Sequence, residues 1–209
     1  MQLLPKPQMK NQPNLKSEPS QNEPPQLQVL DEIEDSRSQH EPEPSQSSRI
    51  AIFIDGANLF YAAMQLNFEI DYVKLLRHLC KNRQLVRAYF YSACDRTNEK
   101  QQGFLLWMSR NGYRVITKEL IQFPDGSKKA NLDIEIAVDM LTLAQYCNTI
   151  VLLSGDGDLA YAVNSVAYKG VQVEVVSLAS MTSESLINVA DSFTDLSEIK
   201  DYIQRGSRE

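Results

Sequence analysis

Two short apolar runs in this 209-residue chain end on carboxylates. Ile52-Phe53-Ile54 runs into Asp55-Gly56-Ala57-Asn58, and Val151-Leu152-Leu153 runs into Ser154-Gly155-Asp156-Gly157-Asp158. Runs of this kind are expected to be fully buried strands. Each motif therefore places acidic residues on a strand-to-helix turn, with glycines that permit close backbone approach. A single aspartate there is what a helix N-cap requires. Asp55, Asp156 and Asp158 together exceed that need, because one helix takes one cap. A third acidic source is the segment Leu132-Asp133-Ile134-Glu135-Ile136-Ala137-Val138-Asp139, which is expected to be a helix. Asp133 falls in its first turn, where the helix dipole favours a carboxylate. Asp139 stands roughly 240° further round the helix and interrupts an apolar stretch. It is expected either to be partnered inside the fold or to face a cleft.

Four carboxylates meeting at one place would have a definite chemistry. A pair of like charges at ~4 Å repels by ~4 kcal/mol at an effective dielectric near 20. Such a cluster is neutralised by protonation or by a divalent cation. All-oxygen ligands select Mg²⁺ or Mn²⁺ over zinc. Ions held in this way activate water and stabilise the leaving oxygen of a phosphodiester.

The elements that must position these residues alternate. Strand patterns cover Ile50–Ile54, Leu85–Tyr91, Tyr113–Thr117, Leu120–Phe123, Thr149–Leu153 and Val171–Val176, with a turn at Pro124–Ser127. Helical spacing covers Ala57–Leu66, Asp71–Lys81, Asn98–Arg110, Leu132–Gln145, Asp158–Tyr168, Ser183–Val189 and Leu196–Ile203. Such alternation predicts an α/β fold with a mainly parallel sheet covered on both faces. Ligands of such sheets bind beyond the carboxyl ends of the strands, at the switch point.

The segment from Met1 to Ser48 reads differently. It holds eight of the nine prolines and no aromatic residue, with four basic against eight acidic side chains. Residues 1–48 are expected to be a disordered tail, in which Leu27–Ile33 is a candidate docking motif for a protein partner. The rest of the chain carries 17 basic and 19 acidic side chains. It is ample for one core from Arg49 to Ile203, with 204–209 as a short C-terminal tail. An overall net charge of -6 argues against a bulk electrostatic nucleic-acid binder and leaves room for a local basic patch. No window approaches a membrane span, and the first ten residues lack the apolar core of a secretory signal. Cys80, Cys94 and Cys147 form no CxxC pair and are expected to be buried thiols of a cytoplasmic protein. His40 and His78 are too few and too scattered for a zinc site.

The stretch Arg49-Ile50-Ala51-Ile52-Phe53-Ile54-Asp55-Gly56-Ala57-Asn58-Leu59 resembles the opening motif of NYN domains, the PIN-like ribonuclease group, in their LabA-like branch. The helix carrying Asp133 and Asp139, preceded by Lys128-Lys129, resembles the second motif of that branch, and Ser154-Gly155-Asp156-Gly157-Asp158-Leu159 the third. The resemblance covers Arg49 to about Ile203. It implies a three-layer α/β/α PIN-like sandwich with a Mg²⁺- or Mn²⁺-dependent site acting on RNA. Asp55, Asp133, Asp156 and Asp158 would hold the metal and Asn58 would orient the site, with Asp139 as a further acidic position. Many relatives carry Gly-Val before the helix aspartate, where this chain has Asn131-Leu132.

A haloacid-dehalogenase-type phosphatase would need a carboxylate two residues after Asp55, where this chain has Ala57. A dinucleotide-binding domain would need Gly-x-Gly-x-x-Gly after the first strand. The alternative kept open is a non-catalytic LabA-like regulator acting by RNA or protein binding on the same fold. Candidate phosphate contacts are Arg96, Lys100, Lys118, Lys128 and Lys129. Tyr61, Phe104 and Trp107 are candidates for base stacking, although Trp107 sits among apolar helix residues and is expected in the core.

Overall fold

The computed structural model describes residues 48–122 and 128–206. The tail reading for residues 1–47, the turn at Pro124–Ser127 and the final residues 207–209 lie outside the described residues.

The first buried run becomes β1 (Arg49–Asp55), followed by α1 (Gly56–Gln65) and α2 (Tyr72–Cys80). Then come β2 (Gln84–Cys94), α3 (Glu99–Arg110) and β3 (Tyr113–Glu119). A two-residue antiparallel pair, β4 (Ile121–Gln122) with β5 (Lys128–Lys129), leads to α4 (Asp133–Leu143). The second buried run is β6 (Thr149–Leu153), followed by α5 (Ala160–Ala167), β7 (Gln172–Ser177) and α6 (Glu184–Ile187). The strand β8 (Ser192–Asp195) and the helix α7 (Leu196–Ile203) complete the order.

Six strands form one sheet in the order β3-β2-β1-β6-β7-β8, every neighbouring pair parallel. Residue alternation along β1 builds a core on each face. Ile50, Ile52 and Ile54 pack with Leu59 of α1, Leu75 of α2, Met108 of α3 and Leu196 of α7. Ala51 and Phe53 point the other way, toward Ile136 and Met140 of α4, Val163 of α5 and Leu186 of α6. This is the three-layer α/β/α arrangement. Because β1 and β6 are central and covered on both faces, Ile50–Ile54 and Ile150–Leu153 are all apolar and fully or almost fully buried.

The order reverses between β1 and β6. From β1 the chain builds outward through β2 and β3, then crosses by α4 to β6 and builds outward the other way. Ile54 pairs with Leu153, so Asp55 and Ser154 leave the sheet side by side at its carboxyl edge. The switch point thus falls between the two acidic motifs.

Several expectations need correction. Trp107 is 42% exposed and Leu106 52%, because Leu105 and Met108, three residues apart, carry the buried stripe of α3. The helix expected from Asp158 starts as a 3₁₀ turn over Gly157–Leu159, and the one expected over Ser183–Val189 is only four residues long. The edge strand β8 escapes sequence reading because Ser192-Phe193-Thr194-Asp195 has one apolar residue. Of the free thiols, Cys147 is buried while Cys80 and Cys94 are half-buried. Burial pushes the Cys80 and Cys147 thiols up, so both stay protonated at neutral pH.

Gly103 sits in the middle of α3, and a Cβ there would meet no atom within 4 Å. Gly103→Ala is therefore expected to stabilise the fold by ~0.5–1 kcal/mol, through helix propensity and a less flexible unfolded chain. Thermal or urea unfolding checks this, and a lowered midpoint would contradict it.

Candidate metal centre

Asp55 ends β1 and caps α1. Its Oδ1 accepts from the backbone N–H groups of Ala57 (3.0 Å) and Asn58 (3.1 Å). The hydroxyl of fully buried Ser154 donates to its Oδ2 at 3.3 Å and accepts from the backbone N–H of Asp156 at 3.2 Å. One buried serine thus ties the two strand-end motifs together. Asp156 caps the following 3₁₀ turn, its Oδ1 accepting from the Asp158 N–H at 2.9 Å. Asp158 is exposed, and its carboxylate accepts no protein donor among the described residues.

The third contribution comes from the crossover. Asp133 opens α4, and the Asn131 side chain brackets it. Asn131 Oδ1 accepts from the Asp133 backbone N–H at 2.8 Å, and its Nδ2 donates to Asp133 Oδ2 at 2.6 Å. The Asn131-Leu132 departure therefore supplies an amide that holds both the backbone N–H and the carboxylate of Asp133. Lys118, at the end of β3, donates to the Asn131 carbonyl at 2.9 Å and pairs with Glu135 at 2.8 Å. That bond holds the Glu135 carboxyl below the usual carboxylate range. Lys118 is thus a buttress behind Asp133.

Carboxylate oxygens of Asp133, Asp156 and Asp158 lie within 4.8 Å of one another. Asp55 stands beside this trio. Burial is the main reason its carboxyl is pushed up, and the charge of Asp156 adds to it. Asp133 is also pushed up, by burial first and then by the charges of Asp156, Asp55 and Asp158. The charges acting on these groups are thus each other's. The donor set is all oxygen and anionic, and it fits a hard divalent cation.

Asn58 lies next to Asp55, its Oδ1 accepting from Ser177 Oγ of β7 at 3.2 Å. Its NH₂ has no protein partner among the described residues. Asp139 is outside the trio: Tyr91 donates to its Oδ2 at 2.8 Å, and burial pushes the Tyr91 phenol far up, so the tyrosine stays a neutral donor. Of the expected phosphate contacts, Arg96 is paired with Glu119, Lys118 is committed as above, and Lys100 is exposed on the first turn of α3. Lys128 and Lys129 pair through β5, and their side chains lie outside the described residues. Sequence reasoning misses Ser154, Ser177 and Asn131 as supports. Ser154 and Asn131 stand inside the motifs, but hydroxyls and amides carry no signal of what they will hold.

No helix among the described residues is long and apolar enough to cross a membrane. The low amplitude and bright protein LabA of Synechococcus elongatus is 37% identical over 169 residues, covering 77% of this chain and 90% of LabA. The crystal structure of VPA0982, a protein of unknown function from Vibrio parahaemolyticus, matches with a TM-score of 0.68 at 26% identity, covering 78% of this chain and 99% of that one. The family model of the NYN domain matches residues 49–198, which include every element from β1 to the start of α7, the carboxylate trio and Asp55, and the chain belongs to that family.

Proposed function

We propose that the domain is a metal-dependent ribonuclease that hydrolyses RNA phosphodiester bonds with Mg²⁺ or Mn²⁺ held by Asp55, Asp133, Asp156 and Asp158. The observation that carries the reading is the trio of carboxylates within 4.8 Å at the switch point, with Asp55 beside it. When bound, the ion would lower the pKa of a water and stabilise charge on the phosphate. The chain's own part is positional. Backbone N–H groups and Ser154 fix Asp55, Asn131 and Lys118 fix Asp133, and the 3₁₀ turn fixes Asp156. Asn58 is anchored through its Oδ1 and keeps two N–H donors for a water or a ligand carboxylate. An RNA substrate and reduced thiols suit a cytoplasmic protein.

The test is cleavage of labelled single-stranded and structured RNA by the purified chain, with Mg²⁺, with Mn²⁺ and with chelator. Cleavage is expected with either ion and none with chelator. At an ion concentration a hundred times Kd, the linkage is worth about 2.7 kcal/mol, or a rise in melting temperature of roughly 5–10 °C. No cleavage and no thermal shift with either ion would leave only the reading as a non-catalytic binder.

A further inference from the structure

Beside the acidic cluster lies a cleft of about 380 Å³ that the metal chemistry does not use. Gly56 and Ala57, the residues directly after Asp55, form one end of it. Its floor is aromatic: Phe90 and Phe104 meet edge to face at 5.7 Å, with Tyr72 against both. At its mouth stand Phe60 and Tyr61 of α1, 55% and 58% exposed, their rings 5.6 Å apart. Ser92 and Asn98 line it as well, and Asn98 Oδ1 caps α3, leaving its NH₂ without a protein partner among the described residues.

We propose that this cleft holds a base of single-stranded RNA next to the phosphate that is cut, with Tyr61 as the stacking ring and Phe60 set edge to face beside it. The inference rests on the ribonuclease reading of the adjoining site. Three observations favour this occupant. Every residue lining the cleft is uncharged, whereas the neighbouring cluster is wholly carboxylate. A nucleotide divides in the same way, into an uncharged flat ring and an anionic phosphate that four carboxylates accept only through a cation. The volume suits a small flat group, being near the lower end of ordinary ligand sites, and is too small for a duplex. Ring faces are offered by unpaired bases alone, since a helix hides them in its stack.

The experiment measures binding of a fluorescent hexaribonucleotide to the full chain with Ca²⁺ in place of the Mg²⁺ or Mn²⁺ used for cleavage. Tyr61→Ala is expected to weaken binding about tenfold, the scale of one base–aromatic stack. Tyr61→Phe should bind as the wild type. Tyr61→Leu should fall with the alanine variant, because a leucine is apolar without being flat. A set of hexamers each lacking one base supplies the coupling: removal at one position should cost the wild type the same factor and Tyr61→Ala nothing further. Both side chains are exposed, so the variants are expected to melt with the wild type. Unchanged binding by Tyr61→Ala and Phe60→Ala, full retention by Tyr61→Leu (the mark of a groove for an apolar peptide), additive losses, or no RNA binding by the wild type would each overturn the cleft. Cleavage of the same hexamer with Mg²⁺ or Mn²⁺ is scored separately. Base coupling intact with no cleavage of this or any other RNA and no thermal shift with either ion would sink the nuclease reading and leave the cleft standing as a binding site, and cleavage without coupling would do the reverse.

Discussion

Replacing Asp156 by asparagine is expected to cut metal-dependent RNA cleavage by at least about a hundredfold and to give a metal-free protein that melts higher than the wild type. The two effects have one origin. An amide keeps the cap, since asparagine and aspartate serve equally at that position and Oδ1 still accepts from the Asp158 N–H. What disappears is one of the charges that, after burial, push up the carboxyls of Asp55 and Asp133. In the proposed ribonuclease, loss of one anionic ligand would weaken the hold on the ion and on the transition state, and each ~1.4 kcal/mol lost there would slow the reaction tenfold. Relief of repulsion in the half-solvated site is on the order of 1 kcal/mol after screening, or roughly 2–4 °C. Cleavage assays and melting curves in chelator read the two arms. Wild-type cleavage by the variant would separate the carboxylate cluster from the chemistry.

Gly155→Ala is expected to produce the largest loss of stability of any single methyl group added at the site. A Cβ there would fall 2.4 Å from the Met181 carbonyl oxygen and 3.0 Å from Ser177 Oγ. The Gly155 carbonyl also accepts from the Ser183 N–H at 2.9 Å, so the 179–183 segment is held against this turn and cannot retreat freely. Overpacking against backbone costs up to about 3 kcal/mol, a fall in melting temperature of roughly 6–12 °C. Asp156 follows directly, so metal affinity should fall as well. Gly103→Ala, with open space around it, is the matched control. Equal melting of the two variants would show that the turn yields more easily than its contacts indicate.

What the sequence discloses about this fold depends on the distance over which each residue's role is decided. Ile50–Ile54 and Ile150–Leu153 read as central strands because burial on both faces demands apolar character. The aspartates that end them read as a site because two buried strands of a parallel sheet deliver their ends to one edge. Asp133 is marked in the sequence by its place in a helix's first turn and by resemblance, and neither says that it reaches the same edge. Only the crossover of α4 from the β3 side to β6 brings it there. Lys118 reads as a free cation, yet its partners, Asn131 and Glu135, lie 13 and 17 residues away across the β4–β5 pair. Trp107 reads as core when side-chain type is weighed over helix phase, and phase decides its exposure. Phe60 gives no signal at all, since an aromatic next to an apolar face looks like part of it until the neighbouring elements are in place.

The direction in which β1 runs determines how this protein can be handled. Arg49 donates its backbone N–H to Asn148 Oδ1, and the Ser48 carbonyl accepts from Gln84, so the chain is pinned where it enters the sheet. From there the seven residues of the strand, roughly 20 Å at the usual rise per residue, separate that entry from Asp55. A dye, an affinity handle or a solid support joined at Ser48 is therefore attached at the amino edge of the sheet, opposite the edge that carries the acidic cluster. Molecules held at that end would present the acidic cluster to the solution, which makes surface-based measurements of ion and RNA binding practicable without redesigning the domain.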